Sequence, residues 1–168
     1  NISARQFWQG SVVETVRAAL ADTGLPAECL EIEITESVVA RDIDKVVKAL
    51  EQLRRMGVRI AIDDFGTGYS SLAYLQRFPF DQLKIDRSFV REIVARPDAR
   101  AIVRATIEMA GALRMETLAE GVEDERAIDV LREQQCGSAQ GYLISPPLHS
   151  PEVAPFLLLD FVDLHFGK

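Results

Sequence analysis

RIAIDDFGTGYSSL, Arg59–Leu72, is the stretch on which the reading of this chain turns. Its apolar run Ile60-Ala61-Ile62 has the length and β-branched content of a short buried strand. The run delivers Asp63 and Asp64 into a loop that contains Gly66 and Gly68. Adjacent carboxylates repel, and neither sits in a core without a partner or a metal. A strand that ends on paired acids and a glycine loop therefore calls for a ligand. It also raises the question of how the other strands end.

They end alike. Upstream, Cys29–Thr35 (CLEIEIT) alternates apolar with acidic residues as a strand does, and closes on Glu33 and Glu36. Downstream, Gln82–Ile85 ends on Lys84 and Asp86, and Glu116–Ala119 runs into Glu120, Gly121, Val122 and Glu123. A last short strand, Ser138–Gln140, precedes Gly141-Tyr142 and the pair Pro146-Pro147. Helices fill the intervals. Trp8, Val12, Val16, Ala19 and Leu20 predict one over residues 8–22, stopped by Gly24 and Pro26. Asp42 is placed to cap a second, whose stripe Ile43, Val46, Val47, Leu50 and Leu53 stops before Gly57. A short turn or helix is expected around Ser71–Arg77, a helix soon after Pro97, another over Asp124–Gln134, and one more from Ser150.

Strand and helix alternate without a long linker or a low-complexity segment, which indicates an α/β fold with a mostly parallel sheet. A doubly wound sheet concentrates its phosphate chemistry in one glycine-rich turn after the first strand. Here polar side chains follow every strand, and side chains from many strand ends converge at the C-terminal rim of a β/α barrel. A barrel is the better reading.

Composition limits the function. The 168 residues are 48% apolar and 27% charged, as in an ordinary globular domain. No apolar run reaches the roughly 18–20 residues that span a bilayer, and Val153–Phe161 is broken by Pro155 and Asp160. The opening NISARQF lacks the basic start and apolar core of a signal peptide. A net charge of −7 argues against binding a DNA or RNA polymer through basic surface, although bound divalent cations would still admit a phosphate ligand. Cys29 and Cys136 lack metal-ligand spacing and read as buried thiols of a cytoplasmic protein.

A single acid after a strand, such as Asp86 or Asp124, is readily a helix N-cap. Glu33 and Glu120 are poor caps that sit at the strand termini themselves, and acid clusters at successive strand ends favour a metal site. Oxygen ligands suit Mg²⁺ or Mn²⁺. Zinc would prefer His and Cys, and the two histidines, His149 and His165, lie in the tail. Paired cations bridged by a carboxylate are the usual apparatus of phosphoryl chemistry, in which Lys84 would hold water or neutralise developing charge. Two local look-alikes fail. Asp64-Phe65-Gly66 lacks the other kinase motifs, and GTGYSS lacks the Gly-Lys-Ser/Thr ending of a phosphate loop.

Taken together, NISARQF (1–7), EIEITE (31–36), IDDFGTGYSSL (62–72), LKID (83–86), LAEGVE (118–123) and QGYLISPPL (140–148) resemble the EAL-domain cyclic-di-GMP phosphodiesterases in family order. The resemblance implies a modified (β/α)8 barrel of the TIM type whose first strand runs antiparallel. It implies opening of cyclic di-GMP to linear pGpG with two Mg²⁺ or Mn²⁺ ions, Ca²⁺ occupying the site without supporting the reaction. By position Asn1, Glu33, Asp63 and Asp64 resemble metal ligands, with Asp63 the bridge. Lys84 would hold the attacking water, Glu120 would be the general base or its organiser, and Gln140 its partner. Glu36, Asp86 and Glu123 would be supporting acids. The loop from Phe65 through Gly66, Thr67 and Gly68 is similar to one that links metal binding to dimer contacts.

The chain departs from the family in lacking a Glu-Ala-Leu tripeptide, since Ala119-Glu120 is not followed by Leu. The asparagine motif at its start corresponds to the end of the third strand. A barrel of about 250 residues would thus leave a six-strand portion here, expected to belong to a longer polypeptide with sensory or signalling domains upstream, which leaves room there for a membrane anchor. Residues 1–168 read as one N-terminally incomplete domain. The alternative to an enzyme is a module that binds cyclic di-GMP or a protein without catalysis; a merely structural domain with surface acids is the third reading.

Overall fold

The computed structural model describes residues 1–9, 11–39, 42–66 and 75–157. Among them five strands form one parallel sheet: β1 (Glu31–Thr35), β2 (Arg59–Phe65), β3 (Gln82–Ile85), β4 (Glu116–Ala119) and β5 (Ser138–Ala139). They lie side by side in chain order. A doubly wound sheet reverses its order at a switch point, whereas consecutive neighbours throughout belong to a singly wound, barrel-like sheet. Every strand consequently points its C-terminal end the same way, and the polar residues after the strands share one rim.

Among the described residues the helices are α1 (Ala4–Gln9), α2 (Val12–Thr23), α3 (Glu36–Val39), α4 (Ile43–Arg55), α5 (Arg87–Glu92), α6 (Pro97–Ala112), α7 (Glu125–Glu133) and α8 (Ser150–Leu157). Asp42 caps α4 by accepting from the Lys45 N–H, and Val46, Leu50 and Leu53 form its buried stripe. Pro97 opens α6 at a position where its missing N–H is no loss. Those stripes close on the strand residues Ile34, Ile60, Ile62, Leu83 and Ile85, each no more than 2% exposed. No helix among the described residues is long and apolar enough to cross a membrane.

The structure corrects several expectations. The single helix over 8–22 is two, because Ser11 accepts from the Glu14 N–H and starts α2 afresh. Cys29 is exposed, not buried, since a 3₁₀ turn over Ala27–Cys29 precedes β1; Cys136 is buried as expected. In place of six strands the described residues form five. Asn1 and Ile2 are not strand, although the Ile2 N–H donates to the Glu33 carbonyl at 2.9 Å. The expected turn or helix at Ser71–Arg77 falls largely outside the described residues.

The most consequential correction concerns β2, which runs through both aspartates to Phe65. Ile62 pairs with Leu83 but Phe65 with Ile85, so β2 carries one residue more than β3 over this interval. That is a β-bulge, and Asp64 sits in it with a left-handed φ of 55°.

Candidate active site

Adjacent residues on a regular strand point to opposite faces. Asp63 and Asp64 would then be kept apart, and the bulge is what reunites them. With Asp64 in the left-handed region, carboxylate oxygens of Asp63, Asp64 and Glu120 all lie within 4.8 Å of one another. The Asp63 carboxylate also accepts from the Asp64 N–H at 3.0 Å. Asp is one of the few side chains that tolerate this conformation, because its short polar arm can bond locally.

Lys84 is the hub of the rim. It is 3% exposed, and its Nζ lies 2.9 Å from Glu33 Oε1, 3.2 Å from Asp63 Oδ1 and 2.6 Å from Glu120 Oε1. An ammonium has three donors, and three carboxylates from three chain segments take them. Burial opposes its charge, but the hydrogen bonds of Glu120 and Glu33 outweigh that and hold its pKa above the ordinary lysine value. Lys84 is thus a fixed cation and not a base.

Burial pushes the Glu120 carboxyl above the ordinary glutamate value; Lys84 opposes the rise, and the charges of Asp63 and Glu33 add to it. Its Oε1 also accepts from Gln140 Nε2 at 2.7 Å. Asp64 is raised as well, first by burial, then by the charges of Asp63 and Asp86, against the pull of Lys84 and Arg87.

The remaining predicted residues divide into those the rim gathers and those it does not. Asn1 is exposed, and the Ile2–Glu33 bond lays its backbone beside the end of β1. Glu36 accepts from the Gly66 N–H at 2.8 Å and so holds the chain just past the bulge, where Gly66 adopts a φ of 94° and packs on Phe89. Phe65 is buried. Thr67 and Gly68 lie outside the described residues. Asp86 serves as the N-cap of α5, accepting from the Ser88 N–H, and Glu123 pairs with Arg91 at 2.6 Å. Both sit near the rim, engaged in other work.

Sequence reasoning missed the groups that shape the approach. A cavity of about 470 Å³ opens beside Glu120 and Gln140, bounded also by Arg87, Arg91, Tyr142 and Pro146. Gly141 makes one wall possible: a Cβ there would stand 2.2 Å from the Val122 backbone. The Val122 N–H bonds the Gln140 carbonyl and the Gln140 N–H bonds the Ala119 carbonyl, so this contact sets the Glu120–Gln140 pair. The glycines after Glu120 and Gln140 were the available signal. A larger cavity, about 880 Å³, lies at the other end of the sheet between α6 and α7 and is lined by none of these carboxylates.

The family model described as EAL domain matches residues 1–147. The cyclic di-GMP phosphodiesterase NbdA of Pseudomonas aeruginosa is 46% identical over 157 residues, which are 94% of this chain and 20% of NbdA. The chain thus spans about a fifth of that curated relative. The solved structure of the PaMucR phosphodiesterase in complex with c-di-GMP superposes with a TM-score of 0.87 at 44% identity, over 91% of this chain and 62% of the other. Klebsiella pneumoniae BlrP1, solved as a calcium and as a manganese complex with cyclic di-GMP, gives TM-scores of 0.79 and 0.75 at 34% and 36% identity. Those matches cover 86% and 80% of this chain and 37% and 34% of BlrP1.

Proposed function

The chain belongs to the EAL domain family, and from that premise we propose that its rim hydrolyses cyclic di-GMP to linear pGpG. The observation that carries the proposal is the convergence of Glu33, Asp63 and Glu120 on one buried ammonium, with Asp64 gathered against Asp63 and Glu120. Four carboxylates against one fixed cation leave an excess of negative charge facing a ligand that is itself anionic. Divalent cations relieve that excess, and an all-oxygen donor set suits Mg²⁺ or Mn²⁺. Asp63, Asp64, Glu33 and Asn1 are the residues that would hold two such ions. When bound, such ions would lower the pKa of water and neutralise charge on the phosphoryl group.

The chain's own residues supply the rest. Lys84 keeps its proton and acts through its charge, polarising the attacking water and offsetting negative charge on the phosphoryl group, since its three donors are engaged by Glu33, Asp63 and Glu120. Glu120 takes the proton that the attacking water gives up; its Oε1 is held by Lys84 and Gln140, which leaves Oε2 for that task. Its raised pKa makes it a better acceptor than a free glutamate. The water oxygen ends on phosphorus, the bond from phosphorus to the 3′ oxygen breaks, and that oxygen takes a proton from solvent to become a hydroxyl, while Glu120 returns its own proton to solvent. Glu36 fixes Gly66 and through it the exit of the bulge.

The test is hydrolysis of cyclic di-GMP by the protein as encoded, with any flanking sequence retained, in Mg²⁺, in Mn²⁺, in Ca²⁺ and in chelator. Turnover is expected in the first two only, with Ca²⁺ permitting binding but not reaction. Glu120→Gln should bind and fail to turn over. Turnover that survives chelation would overturn the metal reading. Binding without turnover under every condition would favour a non-catalytic receptor instead.

A further inference from the structure

Arg87 and Arg91 stand one turn apart on α5, and both bound the cavity beside Glu120 and Gln140. Residues four apart share a helix face, but these two are differently employed. Arg91 is committed to Glu123, to which it donates at 2.6 Å. Arg87 forms no hydrogen bond or ion pair among the described residues, whereas its positive charge is felt at Asp64.

Its stem is held in place by a glycine. Gly121, at a φ of 69°, lies so close that a Cβ there would come within 2.6 Å of Arg87 Cβ and 3.8 Å of its Cδ. The stem of the arginine therefore crosses the chain directly after Glu120, and the residue lines the cavity there. A guanidinium presents five donors in a planar fork that matches phosphate oxygens. One kept beside a ring of carboxylates without pairing to any is available to a ligand's anion.

We propose that Arg87 binds the phosphodiester of the cyclic dinucleotide that is not being cut. The assignment rests on the functional reading above. In that reading the scissile phosphate lies against Lys84, Asp63 and Glu120; of these only Glu120 lines the cavity that Arg87 bounds, so the cavity begins at the reacting centre and extends away from it. The ligand's second phosphate belongs to the same ring and is the group left to occupy that cavity. An interaction made equally by substrate and transition state governs binding and leaves the chemical step alone.

The experiment compares wild type, Arg87→Ala, Arg87→Lys and Arg126→Ala in steady-state hydrolysis of cyclic di-GMP with Mg²⁺, and measures cyclic di-GMP affinity in a Glu120→Gln background. Losing a charge-assisted bond to phosphate should raise KM and Kd about tenfold to a hundredfold in Arg87→Ala, with kcat within about threefold of wild type. Arg87→Lys should recover part of the loss. Arg126→Ala removes an exposed arginine that is paired with Asp124 and does not bound the cavity, and should change neither constant. An unmoved KM and Kd in Arg87→Ala would overturn the assignment, as would a fall in kcat at unchanged KM, which would put Arg87 on the reacting phosphate. Failure of wild type to bind or cut cyclic di-GMP would instead overturn the functional reading on which this one rests.

Discussion

Lys84→Met is the most direct probe of the rim. Methionine nearly preserves the length of the side chain and removes its charge, leaving Glu33, Asp63 and Glu120 facing one another without the ammonium that now lies 2.6–3.2 Å from each. Removing one partner of a buried ion pair costs roughly 3–5 kcal/mol. The three carboxylates retain 14–22% exposure and so some solvation, which points to the lower end, about 3 kcal/mol. At roughly 2–4 °C per kcal/mol for a chain of this size, the melting temperature should fall by about 6–12 °C. The folded-state pKa of Lys84 is raised. Its contribution is therefore complete below the ordinary lysine value and fades only as pH climbs through the elevated one, so a neutral assay sees all of it. The melt is run without metal and again in excess Mg²⁺, where part of the loss should return because the cation replaces the missing charge. A metal-free variant as stable as wild type would refute the claim that Lys84 neutralises this cluster.

Gly141→Ala forces a methyl group to within about 2.2 Å of the Val122 backbone; overpacking of this kind costs roughly 1–3 kcal/mol, and turnover should fall more than stability because Gln140 is carried away from Glu120. Melting curves and kcat on the same preparation check both. Glu36→Ala removes the acceptor of the Gly66 N–H and should cost about 1.5–3 kcal/mol, while Glu36→Gln, which keeps an acceptor, should cost less; an alanine variant as stable as wild type would mean the bond is unimportant. Asp64→Asn should leave the metal-free protein at least as stable as wild type near neutral pH, since a raised carboxyl pKa means that the ionised form burdens the fold above that pKa and not below it. The difference should vanish in acid, and in Mg²⁺ the order should reverse; a less stable metal-free variant at neutral pH would contradict the reading.

The strands that could be read from the sequence were those whose ends are punctuated. β3 and β4 fall where expected because Pro79 and Asp81 precede one and Gly121 follows the other. The end of β2 was misread for a definite reason. Paired aspartates and glycine resemble a chain leaving the sheet, and nothing in the residue types distinguishes that from a bulge, where Asp64 supplies a left-handed residue more often supplied by glycine. Asp86 and Glu123 share the composition of Asp64 and Glu120, but local geometry spends the first on a helix cap and the second on Arg91. Charge pattern alone could not separate them, since the distinction lies in which face of the chain each carboxylate takes. Arg87 escaped notice for the converse reason. A basic residue at the start of a helix looks like a solvated surface group until the fold lays Gly121 beneath it.

The bulge connects these observations to one electrostatic account. It brings Asp64 to Asp63 and Glu120 at a cost in backbone strain, of the kind that persists where the surroundings over-determine it. The result is a rim where burial and neighbouring charges raise the carboxyls of both Asp64 and Glu120, while the one buried ammonium already has its three donors engaged. Lys84 cannot gain charge, so the remaining negative excess is met by protons or by added cations, and these compete for the same oxygens. Acid pH and metal removal are then two routes to the same state on the proposed reading. Both empty the rim of cations, and a fall in activity toward low pH should be shifted to still lower pH by raising the Mg²⁺ concentration.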